Sequence, residues 1–415
     1  MHKATPREHL LLAVLFFLQA HAIALWFVPF SNILKARGLD WMLPWAFGSS
    51  ALAALFSPML TGTLADKHLS PALLLRILAT AIAGCLCLTF FAIEHRWPAP
   101  GILACIQLQH LCAAPAWGLT SQLVLAKLPD PGRQFGPLRA WATLGWLVAC
   151  LLVSWLLSGD QSTLSGFCSA AAWLCVAGFT FLLHAPAPQA SSTPASRKNW
   201  RALLGWDAFR LLQDPEHRGL FISAGLLSIP LAAFYPYTPL HLQSFGITGT
   251  SAWMAIGQIS EFLGMYALAP LLAMAHLRTL FLLGIAAGIL RYGLFALDSL
   301  SGMVAGIFLH GVCFTLFFIP AQIYIEQRIP AHLRYRAQAL LTLLINGFGN
   351  LFGYLGCGWL YALSKDASQI RWPLYWGILA AVVTLVGIYF LKTYPAPGAS
   401  PEQPAEEKEY DSSPA

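Results

Sequence analysis

Apolar residues in this chain come in long blocks separated by short polar connections. Helices that cross a ~30 Å hydrocarbon core need about 20 such residues, whereas spanning β-strands are about half as long and alternate in polarity. The pattern predicts twelve membrane-spanning helices, at about 9–31, 42–64, 72–93, 100–125, 136–158, 163–184, 219–243, 250–275, 277–297, 301–325, 337–362 and 373–392. The first block follows Lys3 and Arg7 and contains Ala20-His21-Ala22, as a secretory leader would. Its apolar character continues to Pro29 and Phe30, which predicts an uncleaved helix.

Within Ser251–Ala275 the pattern is broken by a single charged residue, Glu261, near the middle. A carboxylate at that depth costs about 2.5–3.5 kcal/mol on insertion scales and marks a functional position. Gly257, Gln258, Gly264 and Met265 lie three or four residues away, so they share its helical face. That face is expected to line a water-accessible cavity in which Glu261 binds solute, a proton, or both.

Composition narrows the class. The chain has 415 residues, 57% hydrophobic and 10% charged, against roughly a quarter charged in soluble proteins. Its net charge of +6 does not point to nucleic acid, because the basic residues sit between apolar blocks, where orientation in the bilayer explains them. Of the 24 Lys and Arg, seventeen fall in connections on the side of the N-terminus and five on the other, which predicts cytoplasmic termini in a plasma (inner) membrane. Arg139 and Arg291 remain inside or at the edge of spans. The nine cysteines are scattered through apolar blocks without zinc spacing and read as small core residues.

Residues 185–218 form the longest connection and divide the spans six and six. It opens with the Pro/Ser/Ala-rich stretch APAPQASSTPASRKN, then places Trp200, Leu203, Leu204, Ala208, Leu211 and Leu212 at helical spacing. The expected organisation is a six-helix bundle over 1–184, a cytoplasmic linker with an amphipathic helix over 185–218, a second bundle over 219–394, and a disordered cytoplasmic tail over 395–415. The histidines are scattered singly and neither HExxH nor GxSxG occurs, so an enzyme is not expected, nor a metal or cofactor.

Two six-helix bundles joined by a linker resemble the layout of the major facilitator superfamily, in which solute binds near the midplane between the halves. GTLADKHLS, Gly62–Ser70, resembles that superfamily's loop motif, which implies a gating or structural role for Gly62 and Asp66. Several spans are more specifically similar to the nucleoside:proton symporter family. These are FLQ at Phe17–Gln19 with Trp26, Pro115 with Gly118-Leu119, FGPLRAWATLGW (Phe135–Trp146), IGQISE (Ile256–Glu261), ILRYGLFALD (Ile289–Asp298), HGVCFTLFF from His310 and NGFGNLFGYLGCG from Asn346. The resemblance implies proton-coupled nucleoside uptake by alternating access, with Arg139, Thr143, Trp146, Gln258, Glu261 and Phe314 touching the solute.

The side chains suit that solute on chemical grounds. Carboxylate and amide oxygens accept from ribose hydroxyls, as Glu261 and Gln258 would. Aromatic walls and a guanidinium suit a nucleobase, as Trp146, Phe314 and Arg139 would. The chain departs from the family where His310 stands in place of a Tyr and Thr315 in place of an acid, and Ser228–Pro239 has no amide. Proton coupling is then expected to rest on Glu261, with His310 a further solute contact and second titrating group. Arg291 reads as structural, and Asn346 and Asn350 as helix–helix hydrogen-bonding residues. The expected partners are a small polar solute, a proton and the bilayer, with a monomer as the working unit. The alternatives are a proton-coupled sugar or drug transporter on the same scaffold, or a membrane sensor that binds solute without moving it.

Overall fold

The structure, a computed structural model, describes residues 6–65, 70–128, 131–183, 206–366 and 369–395. The first half comprises α1 (Pro6–Phe27) and α2 (Phe30–Ala36), which make one crossing, α3 (Leu43–Ala65), α4 (Pro71–Glu94), α5 (Ala99–Ala113) with α6 (Ala116–Leu125), α7 (Pro131–Leu151) and α8 (Leu164–Phe179). The second comprises α9 (Pro215–Leu231) with α10 (Phe234–Ser244), α11 (Thr250–Met274), α12 (Leu277–Ala296), α13 (Leu300–Arg328), α14 (Ala331–Thr342) with α15 (Asn350–Leu363), and α16 (Trp372–Thr393). Among the described residues eleven segments are long and apolar enough to cross a membrane, and α3 stands where the remaining expected span lies. These are the twelve crossings the hydropathy pattern predicts, in the two-bundle major facilitator fold that the resemblance implies.

Among the described residues several crossings are interrupted, one by a π turn over Leu152–Leu156 at the end of α7, and proline stands at three of the breaks. Pro29, Pro115 and Pro230 each lack the N–H that would continue the ladder, so the helix bends there. Another is a wide π turn over Leu343–Gly349, between α14 and α15, where Gly349 lets the chain pack on Ser228 and the Gly225 carbonyl of α9. A two-stranded ribbon, β1 (Lys365–Asp366) with β2 (Gln369–Ile370), closes the turn between α15 and α16. Of the expected linker helix, the structure describes a 3₁₀ segment over Trp206–Gln213, with Leu211 buried; the rest of that stretch, Asp66 and the tail from 396 lie outside the described residues.

Within the first half α1 packs on α7 and α8, and α4 on α5 and α8; within the second, α13 packs on α11 and α12, and α16 on α9 and α12. Some of the buried polar groups in these cores are paired and others, such as the Gln19 amide and the Tyr237 hydroxyl, are not. His241 is fully buried, yet its Nδ1 accepts from Trp376 Nε1 at 2.9 Å and its Nε2 donates to Asp298 Oδ1 at 2.8 Å.

The halves are tied together at the end of the bundle opposite the chain termini. Gly249, the N-cap of α11, has no side chain to satisfy that helix's first N–H groups. The first half supplies the acceptors instead. Asp160 takes the Ser251 N–H at 2.7 Å and the Thr250 hydroxyl at 3.0 Å, and Ser154 Oγ takes the Ala252 N–H at 2.9 Å. Ser154 in turn donates to Asp160 at 2.8 Å, and Asn32 donates to Thr250 Oγ1 at 2.6 Å. A carboxylate beside a helix N-terminus is also favoured by the helix dipole, by about 0.3–1 kcal/mol or somewhat more when shielded from water. Lys365 reaches Asp40 at 3.2 Å at the same end, and Gly358 lets α15 rest on Pro44 of α3.

Asp160→Ala is expected to weaken this clasp, because each buried donor left without an acceptor costs about 1–3 kcal/mol. In a cysteine-free background, a Ser31→Cys reporter buried beside the clasp should be labelled by a thiol reagent roughly fivefold faster or more when Asp160 is also replaced. Unchanged labelling would mean that the clasp does not hold the halves together.

Candidate functional site

The site begins where α11 and α13 touch. Gly257 of α11 faces the Ile307 carbonyl and the His310 ring, so that a Cβ there would meet the carbonyl oxygen at 3.1 Å. One turn on, a Cβ at Gly311 of α13 would overlap the Glu261 N–H and the Gly257 carbonyl. Two glycines at successive contacts thus let the backbones approach side by side, as small residues do between membrane helices. Ser260 fills the same seam and donates to the Gly257 carbonyl at 2.9 Å. With its backbone pinned against α13, Glu261 sits mid-helix, 9% exposed, and Gln258 one turn earlier is 5% exposed.

Across from this wall stands α7 of the other half. Arg139 lies close enough to Glu261 for the two charges to interact, so the acid and its cation come from different halves. The guanidinium is held 4.4 Å over the Trp117 ring of α6, a cation–π contact that orients it. Arg139 therefore points inward toward a partner rather than out to the membrane surface. Close packing of α1 against α7, where Gly145 abuts the Phe17 carbonyl and His21 Nδ1 lies 3.2 Å from the Gly145 carbonyl oxygen, sets the rotation of this helix.

Tyr235 of α10 joins the two walls. Its hydroxyl lies beside the Gln258 amide and within reach of the Glu261 charge, and its ring lies 5.8 Å from Trp146 and 5.2 Å from Phe27. The stretch around it, FYPYTP, carries no amide, which hid from sequence reasoning that a phenol stands at this place. Sequence reasoning likewise missed Asp160, because an acid between two spans reads as a loop residue and nothing nearby in the chain marks its partner.

His310 is stacked face to face on Phe234, 3.7 Å between centroids, and lies 5.9 Å from Tyr235. Its Nδ1 accepts from Arg291 Nη1 at 2.8 Å. Arg291 is fully buried 4.3 Å from the Tyr292 ring, and no carboxylate pairs with it among the described residues. The Tyr292 hydroxyl donates to the Pro230 carbonyl at 2.6 Å, in the bend between α9 and α10. Arg291 thus supports the wall from behind instead of entering the site.

The structure brings together Arg139, Trp146, Gln258, Glu261 and His310, linked through Tyr235. Thr143 is buried one turn from Arg139, and Phe314, half-buried, is one turn from His310 and packs on Phe318 at 5.6 Å. Gly62 lies in the last turn of α3, while Asp66 lies outside the described residues. Thr315, where an acid was expected from the family pattern, is buried against Gly264, its hydroxyl without a partner. Asn346 does not form the expected helix–helix hydrogen bond; it opens into a cavity of about 280 Å³ between α3, the end of α5 and the wide turn. No cluster of metal-ligating side chains occurs among the described residues.

The sequence profile of a family described as nucleoside H+ symporter matches residues 7–397. YegT of Escherichia coli (strain K12) is 29% identical over 387 residues, covering 88% of this chain and 89% of that one. The nucleoside permease NupG of the same organism is 26% identical over 369 residues, covering 84% and 86%. A crystal structure of a mutant of the nucleoside transporter NupG superposes with a TM-score of 0.84 at 25% identity, over 93% of this chain and all of that one.

Gly311→Ala tests the seam on which the site is built. The added methyl has to push the α11 backbone away at Glu261, at a cost of about 1–3 kcal/mol. The purified protein should melt at a lower temperature, whereas Gly293→Ala, where a Cβ meets nothing within 4 Å, should not. Equal melting of the two variants would remove the close seam from the account.

Proposed function

This chain belongs to the nucleoside H+ symporter family, and on that premise we propose that it accumulates a nucleoside by carrying it with a proton on Glu261. The observation that carries the reading is that Arg139 and Glu261, one residue on each half of the molecule, lie near enough for their charges to influence each other without a direct ion pair. Ionised Glu261 attracts Arg139 and holds the walls together. Protonated Glu261 loses that attraction and becomes a donor and acceptor for a ribose hydroxyl. Proton and solute therefore act on one oxygen pair, which is what obliges them to move together.

In this reading Glu261, Gln258 and Tyr235 take the ribose, while Trp146, Phe314 and Arg139 take the base, with Thr143 a hydroxyl beside it. Stacking on an aromatic wall and hydrogen bonding to amide and carboxylate oxygens suit a solute with one flat face and one hydroxylated face. His310 belongs to the wall and not to the proton path. Arginine only donates, so His310 Nδ1 is an acceptor and the ring is neutral. A second proton there would set two cations in contact inside the bundle. That geometry argues against the titrating role expected for His310 from sequence.

Membrane energetics fit uptake. One charge moving through 100 mV is worth about 2.3 kcal/mol, enough for a roughly 50-fold solute gradient. We place both termini in the cytoplasm of a plasma (inner) membrane, on the basic-residue bias, with the Asp160 clasp closing the outer side and a single chain as the working unit. Domain limits at 184 and 218 follow from the same assignment.

Uptake of labelled uridine and adenosine into proteoliposomes, with and without an inward pH gradient, tests the function. Accumulation should need the gradient and be suppressed by excess nucleoside but not by sugars; competition by sugars alone would favour the sugar-transporter reading. Glu261→Gln should abolish gradient-driven accumulation while still exchanging nucleoside across the membrane. His310→Asn, which keeps an acceptor for Arg291, should retain dependence on the gradient, and its loss would return His310 to the proton path.

A further inference from the structure

The cavity that Asn346 enters is separate in its lining from the Glu261 group. It holds about 280 Å³ and is walled by Ser50 and Ala54 of α3, His110 and Ala113 at the end of α5, and Thr342 and Asn346 from α14 and the wide turn. This is near the lower end of ligand-pocket sizes, room for a small ring system.

Two independent features mark it as more than a packing gap. The first is the state of its polar groups. His110 is 8% exposed, and among the described residues its ring makes no hydrogen bond; its neighbour is the Trp26 ring, 5.6 Å away. A buried imidazole carries one donor and one acceptor that cost free energy when left unpaired. Asn346 on the facing half is likewise without a hydrogen bond and is exposed, in the middle of a crossing. The second is the backbone. The cavity is bordered on one side by the break between α5 and α6 at Ala114-Pro115 and on the other by the π turn. Irregular backbone at membrane depth is tolerated where it is buried in protein or lines a wet cavity, and in transporters such broken helices build solute sites.

We propose that this cavity is a second station for the transported solute, holding a neutral ring with hydroxyl or amide groups between His110 and Asn346, apart from Glu261. The inference rests on the nucleoside reading above for its choice of ligand. Imidazole and carboxamide each offer a donor and an acceptor, so together they match a hydroxylated or amide-bearing edge and leave no charge to be neutralised. His110 belongs to the first half and Asn346 to the second, so only the arrangement that brings the halves together here presents both. When the halves part, the solute loses one of its two partners and is released. A carrier needs such weak, state-dependent holding along its passage, and a tight site there would slow it.

The test uses the full chain in a cysteine-free background carrying Ala113→Cys as a reporter on the cavity wall, with uridine as the probe. If uridine occupies the cavity, labelling of the thiol should slow about tenfold when uridine is tenfold above its Kd. The protection should persist when Glu261→Gln is added, and should be lost with His110→Ala or Asn346→Ala while Glu261 is intact. Protection that vanishes with Glu261→Gln but survives both cavity substitutions would overturn the second station. So would the absence of protection in protein that still takes up uridine. A Ser50→Cys reporter on the facing wall replaces Ala113→Cys if the latter does not assemble, and the same outcomes decide. A cysteine-containing wild type that neither binds nor moves uridine sinks the transport reading itself, a result distinct from uptake without protection.

Discussion

A carboxylate placed halfway through a membrane helix needs a cation to face, and in this molecule that cation comes from the other half of the chain. Arg139 and Glu261 each sit on a helix that its own bundle holds in place, α7 by its contact with α1 and α11 by its seam with α13. Neither charge is balanced by a carboxylate or guanidinium within its own half among the described residues. The interface between halves is therefore where the two charges influence each other, and separating the halves removes that influence.

The seam at Gly257 and Gly311 makes the arrangement exact enough to matter. Backbone-to-backbone approach leaves α11 no freedom to rotate Glu261 toward lipid, and it presses His310 into a stack with Phe234. Arg291 then keeps the imidazole neutral through a single hydrogen bond and is itself shielded by aromatic faces. The wall carries one carboxylate, Glu261, with the guanidinium of Arg291 behind it.

The opposite end of the interface is built on another principle. There the joins are hydrogen bonds from Asp160, Ser154 and Asn32 to the first turn of α11, which lacks a capping side chain of its own. Each such bond is worth roughly 0.5–1.5 kcal/mol net, so a handful can hold a closed gate without making it permanent. Aromatic pairs across the halves, Phe27 with Tyr235 and Phe47 with Tyr354, seal the space beneath without adding directional bonds. Strength is spread over many small contacts, which suits a boundary that has to open.

Local chemistry along the chain determined the spans, the bias of basic residues and the singular status of Glu261, because hydropathy, charge and helical spacing are read over a few turns. It also marked Arg139, Thr143, Trp146, Gln258 and Phe314 as candidate solute contacts through their likeness to a family pattern, and His310 as a departure from it. Only the tertiary structure decided which cation faces Glu261, since Arg139 and Arg291 are equally plain in the sequence and differ only in the direction their helices turn them. It alone placed Tyr235 beside Gln258, gave α11 a cap from the other half, and left His110 and Asn346 facing one cavity. These pairings join residues far apart in the chain, and the packing angle of two helices, not the order of their residues, sets which side chains meet.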